Sequence, residues 1–155
     1  MATPEKTRDT AVPEKRPQAK EPSDLRRILT LVGGDVLAFL AFAALGRETH
    51  GETSGFAALP DIAITAAPFA IGWFLVSPLV GAFRRELMAE PRAMAIRTAL
   101  AWILSWPIGL ALRWLFTGRF PPLSFALVTL IFNLGILLIW RWPYALTNSL
   151  NKRQK

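Results

Sequence analysis

Asp35 is the one acidic residue near the middle of a long apolar run, and it follows Gly33 and Gly34 directly. A carboxylate at the centre of a membrane helix costs about 2.5–3.5 kcal/mol on insertion scales, so it must face protein and find a partner or a proton. Two roles suit it. Without a partner it fits a proton relay. Hydrogen-bonded, it clamps one helix to another, and this is the favoured reading, because polar side chains commonly join membrane helices.

Depth ranks the candidate partners. Asn133 lies near the middle of the fourth apolar run, where Phe125, Thr129 and Asn133 recur at four-residue steps and give the run one polar stripe. Trp73 and Trp106 lie near the middles of the second and third runs, and a buried indole N–H wants an acceptor. Arg113 lies outward of the third run's centre. Its side chain either reaches in to Asp35 or, more simply, snorkels out to the headgroups. Asp35, Asn133, Trp73, Trp106 and Arg113 are the expected intramembrane polar cluster.

A second candidate site is the segment Gly46-Arg47-Glu48-Thr49-His50-Gly51 at the far mouth of the first run. Arg47, Glu48 and His50 suit a lipid headgroup or an anionic solute, against the plainer reading that Arg47 and His50 cap a helix end and meet its dipole. One histidine with flexible carboxylates is poor zinc chemistry, and the chain has no cysteine. No metal or cofactor is expected. The chain has no Gly-x-Ser-x-Gly, no P-loop and no dinucleotide fingerprint. An enzyme is therefore not expected; a lipid-modifying activity through Asp35, Arg47 and His50 trails behind the other readings.

The elements that must position these residues are legible from composition. Of 155 residues, 52% are hydrophobic and 19% charged, against about 25% charged in a soluble domain. The apolar residues fall in four runs, about 25–46, 62–83, 93–117 and 122–142. At about 1.5 Å per residue each run crosses a hydrocarbon core of roughly 30 Å as a helix. Helices satisfy every backbone group within one segment, and the runs lack the period-2 alternation of barrel strands. The expectation is an all-α, integral membrane four-helix bundle. Residues 1–24 are expected to be a disordered cytoplasmic arm, 25–146 the transmembrane domain and 147–155 a short basic tail. The arm carries four prolines and balanced charge, with too little apolar surface to order it. A cleaved signal peptide is a weak competitor, since the polar lead is long and mixed in charge and Asp35 interrupts the apolar stretch.

The net charge of +7 reads as orientation rather than nucleic-acid binding. Up to Arg27 there are seven Lys and Arg, around residues 84–97 four, and from Arg141 onward four. The opposite loops hold Arg47, Arg113 and Arg119, so the split is fifteen to three. The positive-inside rule then puts both termini in the cytoplasm. Trp140, Trp142 and Tyr144 at one end, with Trp114, Phe116 and Phe120 at the other, suit the headgroup levels.

Ala101, Ser105 and Gly109 step by four along the third run, a small-residue face that allows close helix approach. Pro107 should interrupt this face and bend the helix. Pro68 and Pro78 flank Gly72 in the second run. Kinked helices around a midplane acid also occur at transporter sites.

The motifs Gly34-Asp35-Val36-Leu37-Ala38, Gly46-Arg47-x-x-His50-Gly51 and Pro68-Phe69-x-x-Gly72-Trp73, with Ser124-Phe125 leading to Trp140-Arg141, resemble a bacterial family of small four-helix membrane proteins, domain of unknown function 3054. The resemblance covers about residues 30–143 and implies architecture without a mechanism. The preference for Arg over Lys and the Ala-rich helices also look like a GC-rich bacterium. The functional expectation is a non-enzymatic structural or accessory component of a bacterial cytoplasmic membrane, with the lipid bilayer and a homo-oligomer or larger complex as partners. The alternative is a small proton-coupled transporter working as an oligomer, with Asp35 as its protonatable group.

Overall fold

The computed structural model describes residues 24–48 and 59–153, the side chains of Arg47, Glu48 and Arg153 excepted. The proposed disordered arm lies outside these residues but for Asp24, as do His50 and residues 154–155. Among the described residues there are four α-helices and no strand: α1 (Asp24–Glu48), α2 (Leu59–Val76), α3 (Pro91–Thr117) and α4 (Leu123–Arg153). All four are long and apolar enough to cross a membrane. The protein is a multi-pass, all-α membrane bundle.

Local sequence sets the helix limits. Pro91 opens α3 at its first turn, where its missing N–H is not needed. Gly118 closes α3 in the left-handed conformation (φ 65°), its N–H on the Trp114 carbonyl. α4 follows the Pro121-Pro122 pair and runs for 31 residues, roughly 46 Å, so it outlasts the hydrocarbon core. It passes Pro143 and carries most of the basic tail, residues 147–153, as its last turns.

α2 departs from its apolar run. The run reaches residue 83, but the helix stops at Val76. Pro78 has no N–H and disfavours helical geometry at Ser77 before it. Residues 77–83 turn instead, with Gly81 at φ 75°, and lead to a 3-10 helix at Arg85–Ala89. The mid-helix prolines behave otherwise: α2 continues through Pro68 and α3 through Pro107. Pro107 is exposed on the outer face of α3, so it leaves the small-residue stripe intact.

The helices form a ring in which each packs on its sequence neighbour and α4 closes on α1. The α2–α3 and α3–α4 interfaces are the broad ones. Phe39, Phe69, Trp73 and Trp102 fill the centre, tilted against one another with ring centroids 5.6–6.5 Å apart. At Gly72 the α2 and α3 backbones nearly touch: a Cβ there would lie 2.9 Å from the Ser105 carbonyl oxygen and 3.1 Å from the Gly109 nitrogen. The end where α1 begins and α4 finishes is the basal end. There the 3-10 helix packs Leu87 against Met94 and Ala145.

Candidate functional site

Asp35 is fully buried, and α4 supplies its main partner. Arg141, also fully buried, donates from Nε to Oδ1 at 2.8 Å and from Nη2 to Oδ2 at 2.5 Å. This is a bidentate, fork-on-fork ion pair. Trp73 on α2 donates its indole N–H to Oδ2 at 2.9 Å. Three helices thus meet on one carboxylate.

The second half of the guanidinium faces the unwound segment. Arg141 Nη1 donates to the Ala82 carbonyl at 2.9 Å, with the Met94 sulfur at 3.9 Å. The cation also lies over the Trp73 ring, 5.0 Å from its centroid, and over Phe83 at 4.8 Å. Two further arginines act alike. Arg27 on α1 donates to the Phe83 carbonyl at 2.7 Å, and Arg97 on α3 donates to the Val80 carbonyl at 3.0 Å. Non-helical backbone at membrane depth needs donors from elsewhere in the protein. Here α1, α3 and α4 each provide one arginine to the stretch that Pro78 unwinds.

Of the expected cluster, only Asp35 and Trp73 come together. Trp106 donates to the Ala126 carbonyl at 3.1 Å and the Thr129 hydroxyl at 3.2 Å, tying α3 to α4 farther from the basal end. Arg113 does not reach Asp35; its guanidinium lies 4.4 Å from the Phe125 ring centroid. Asn133 is fully buried but makes no hydrogen bond to Asp35 or to any other described residue. Its assumed level was wrong for a definite reason. The apolar run of α4 centres near residue 132, whereas the helix extends to Arg153, so the position facing Asp35 is two turns later, at Arg141.

Arg141 was the residue missed. It ends the apolar run beside Trp140 and Trp142 and therefore reads as a flanking charge. The signal that finds it is the polar stripe itself: the four-residue step through Phe125, Thr129 and Asn133 continues to Leu137 and Arg141. Thr129, Asn133, Leu137 and Arg141 are all fully buried. Of the mouth candidates, Arg47 and Glu48 are the last residues of α1, but their side chains and all of His50 lie outside the described residues. Among the described residues no group of His, Asp and Glu could hold a metal ion.

The profile of the family described as Protein of unknown function (DUF3054) matches residues 32–144. The chain belongs to this family. The match spans well over half the chain, agrees closely with the resemblance seen over residues 30–143, and takes in Asp35, Trp73 and Arg141 together. No curated protein and no solved structure matches the chain.

Proposed function

We propose that this family member is a non-enzymatic structural or accessory component of a bacterial cytoplasmic membrane, acting through helix packing with a second copy or within a larger complex. The observation that carries the reading is the closure of the Asp35–Arg141–Trp73 cluster. The carboxylate is charge-matched and bidentately held by α4, with a further donor from α2. A carboxylate so engaged is suited to fixing three helices in one arrangement. No cofactor and no nucleic acid enter this reading.

The reading puts both termini in the cytoplasm, and the charge asymmetry supports it. Removing the buried Arg141 from the flanking count of fifteen leaves fourteen against three, so the bias survives. Fusions at the C-terminus check it: a green-fluorescent fusion should fluoresce and an alkaline-phosphatase fusion should be inactive.

The accessory role is tested by extracting the tagged full chain in mild detergent. A stoichiometric partner, or a defined homo-oligomer by light scattering, is expected; a lone monomer overturns the reading. The second reading, a proton-coupled carrier built on Asp35, is favoured by one observation, the buried and unpartnered carboxamide of Asn133. It requires pH-gradient-driven flux in proteoliposomes that Asp35→Asn abolishes while insertion and assembly are retained.

A further inference from the structure

The bundle interior holds three neutral polar side chains that are fully buried yet have no hydrogen-bond partner among the described residues: Ser77 Oγ, Thr98 Oγ1 and both polar atoms of the Asn133 carboxamide. They come from three elements, namely the turn after α2, α3 and α4. Buried polar groups in proteins are nearly always paired, with protein or with water. Two other unpartnered atoms, Arg27 Nε and Trp140 Nε1, belong to partly exposed side chains and are a different case.

The three side chains share one level. On α3, positions 106, 102, 98 and 94 form a four-residue series facing α4. Trp106 bonds at Ala126 and Thr129, Trp102 bonds the Leu130 carbonyl at 2.9 Å, and Met94 meets Arg141. Thr98 falls in the one gap of that ladder, opposite 133–137 on α4. Gly72 packs at Ser105 and Gly109, while Val80 accepts from Arg97, so Ser77 lies opposite about residue 100 of α3. The three are therefore within about one helical turn of one another in depth.

We propose that this level is a binding site for internal water, held between Ser77, Thr98 and Asn133. The chemistry points to a neutral, water-sized guest. The groups offered are two hydroxyls and one carboxamide, which both donate and accept and carry no net charge. The neighbouring ion pair is already matched, leaving no excess charge to attract an ion. A buried water commonly makes about three hydrogen bonds, and three side chains provide them here. The inference goes beyond the proposed function and stands with either reading of Asp35.

The test uses the full chain in lipid bilayers, labelled with 15N-asparagine. Asn133, Asn148 and Asn151 are the only asparagines, so Asn148→Ser and Asn151→Ser identify the Asn133 side-chain signal without touching the bundle interior. A magnetisation-transfer cross-peak between that amide and a long-lived water is the expected result. A resolved Asn133 amide with no water cross-peak overturns the proposal. Thermal unfolding of Asn133→Leu, Thr98→Val and the double variant gives a second readout. Each single change should lower the midpoint by roughly 3 °C or more, and the double should lose little beyond the larger single, because one bridge is broken once. A rise in midpoint for Asn133→Leu, or strict additivity, also overturns it.

Discussion

The two halves of the bundle solve the same problem by opposite means. In the half away from the basal end, α2 and α3 are continuous helices and polar side chains serve nearby backbone. Ser105 donates to the Ala101 carbonyl at 2.7 Å, and Trp102 and Trp106 donate to carbonyls of α4. Most of those acceptors already belong to helical backbone, so each such bond adds cohesion without being indispensable. In the basal half, α2 has ended, the turn at 77–83 replaces it, and its Val80, Ala82 and Phe83 carbonyls accept from Arg97, Arg141 and Arg27 of other helices. The first half is held by contact and the second by charge. The basal half should therefore be the more sensitive to single polar substitutions.

The largest effect should come from splitting the ion pair. Arg141→Met leaves Asp35 buried with only the Trp73 N–H, and Asp35→Leu leaves the guanidinium unmatched. Each should destabilise by about 3–5 kcal/mol in unfolding from mild detergent. The double variant should recover much of that loss, since an apolar pair of similar volume is often tolerated where half a pair is not. Additive losses in the double variant would mean that the charges contribute separately and that the basal half is not organised around their pairing.

The next largest effect should fall on the contact-held half. Gly72→Ala puts a Cβ against backbone, at 2.9 Å from the Ser105 oxygen and 3.1 Å from the Gly109 nitrogen, and helix backbones have little room to give. The helices must separate, and overpacking of this kind costs about 1–3 kcal/mol. A neutral result in thermal unfolding would show that α2 and α3 slide freely and that tight contact is not what holds that half.

A matched pair of tryptophans sharpens the comparison further. Trp73→Phe and Trp102→Phe remove the same indole N–H from the same aromatic cluster. Trp73 donates to an ionised carboxylate, and Trp102 to a helix carbonyl. Hydrogen bonds to charged groups contribute about 1.5–3 kcal/mol against roughly 1 for neutral ones, so Trp73→Phe should be the more damaging by about 1 kcal/mol. Equal losses in paired unfolding curves would place the contribution in ring volume rather than in the donor.

How much of this was legible in the sequence follows the same division. Four helices and their order could be read, because long apolar runs admit few alternatives in lipid, and the family resemblance came from short motifs such as Pro68-Phe69-x-x-Gly72-Trp73. The small-residue face at Ala101, Ser105 and Gly109 was read correctly, as all three are buried. What escaped was register. The depth of Asp35 was judged from the centre of apolar runs, but α4 is a helix well beyond its apolar part and α2 ends well before the limit of its own. A charged residue at the edge of an apolar run reads as a flank, whereas Arg141 is drawn in by Asp35 and by the carbonyls that Pro78 exposes. Neither cause is local to Arg141. Residue spacing gave the stripe on which it lies, but only the broken end of α2 explains why a cation is needed there.

The smallest effect should have the opposite sign, and it separates helix propensity from packing on α1. Gly33 and Gly34 are adjacent in sequence and differ in surroundings. A Cβ at Gly34 would collide with the indole of Trp140, whereas one at Gly33 would meet nothing within 4 Å. Gly33 is exposed and lines a shallow apolar crevice between α1 and α4 that also includes Leu29, Leu37 and Ile136. Alanine is the better helix former by up to about 1 kcal/mol, so Gly33→Ala should raise the unfolding midpoint slightly if only this chain's own fold is at stake. Gly34→Ala should lower it, because the ring must move from its place beside Tyr144, where the two centroids are 5.6 Å apart. Should Gly33→Ala instead destabilise, and do so more strongly as protein concentration rises, the crevice would be filled by a second copy in the assembled state, and the open space beside Gly33 would be an interface rather than a lipid-facing surface.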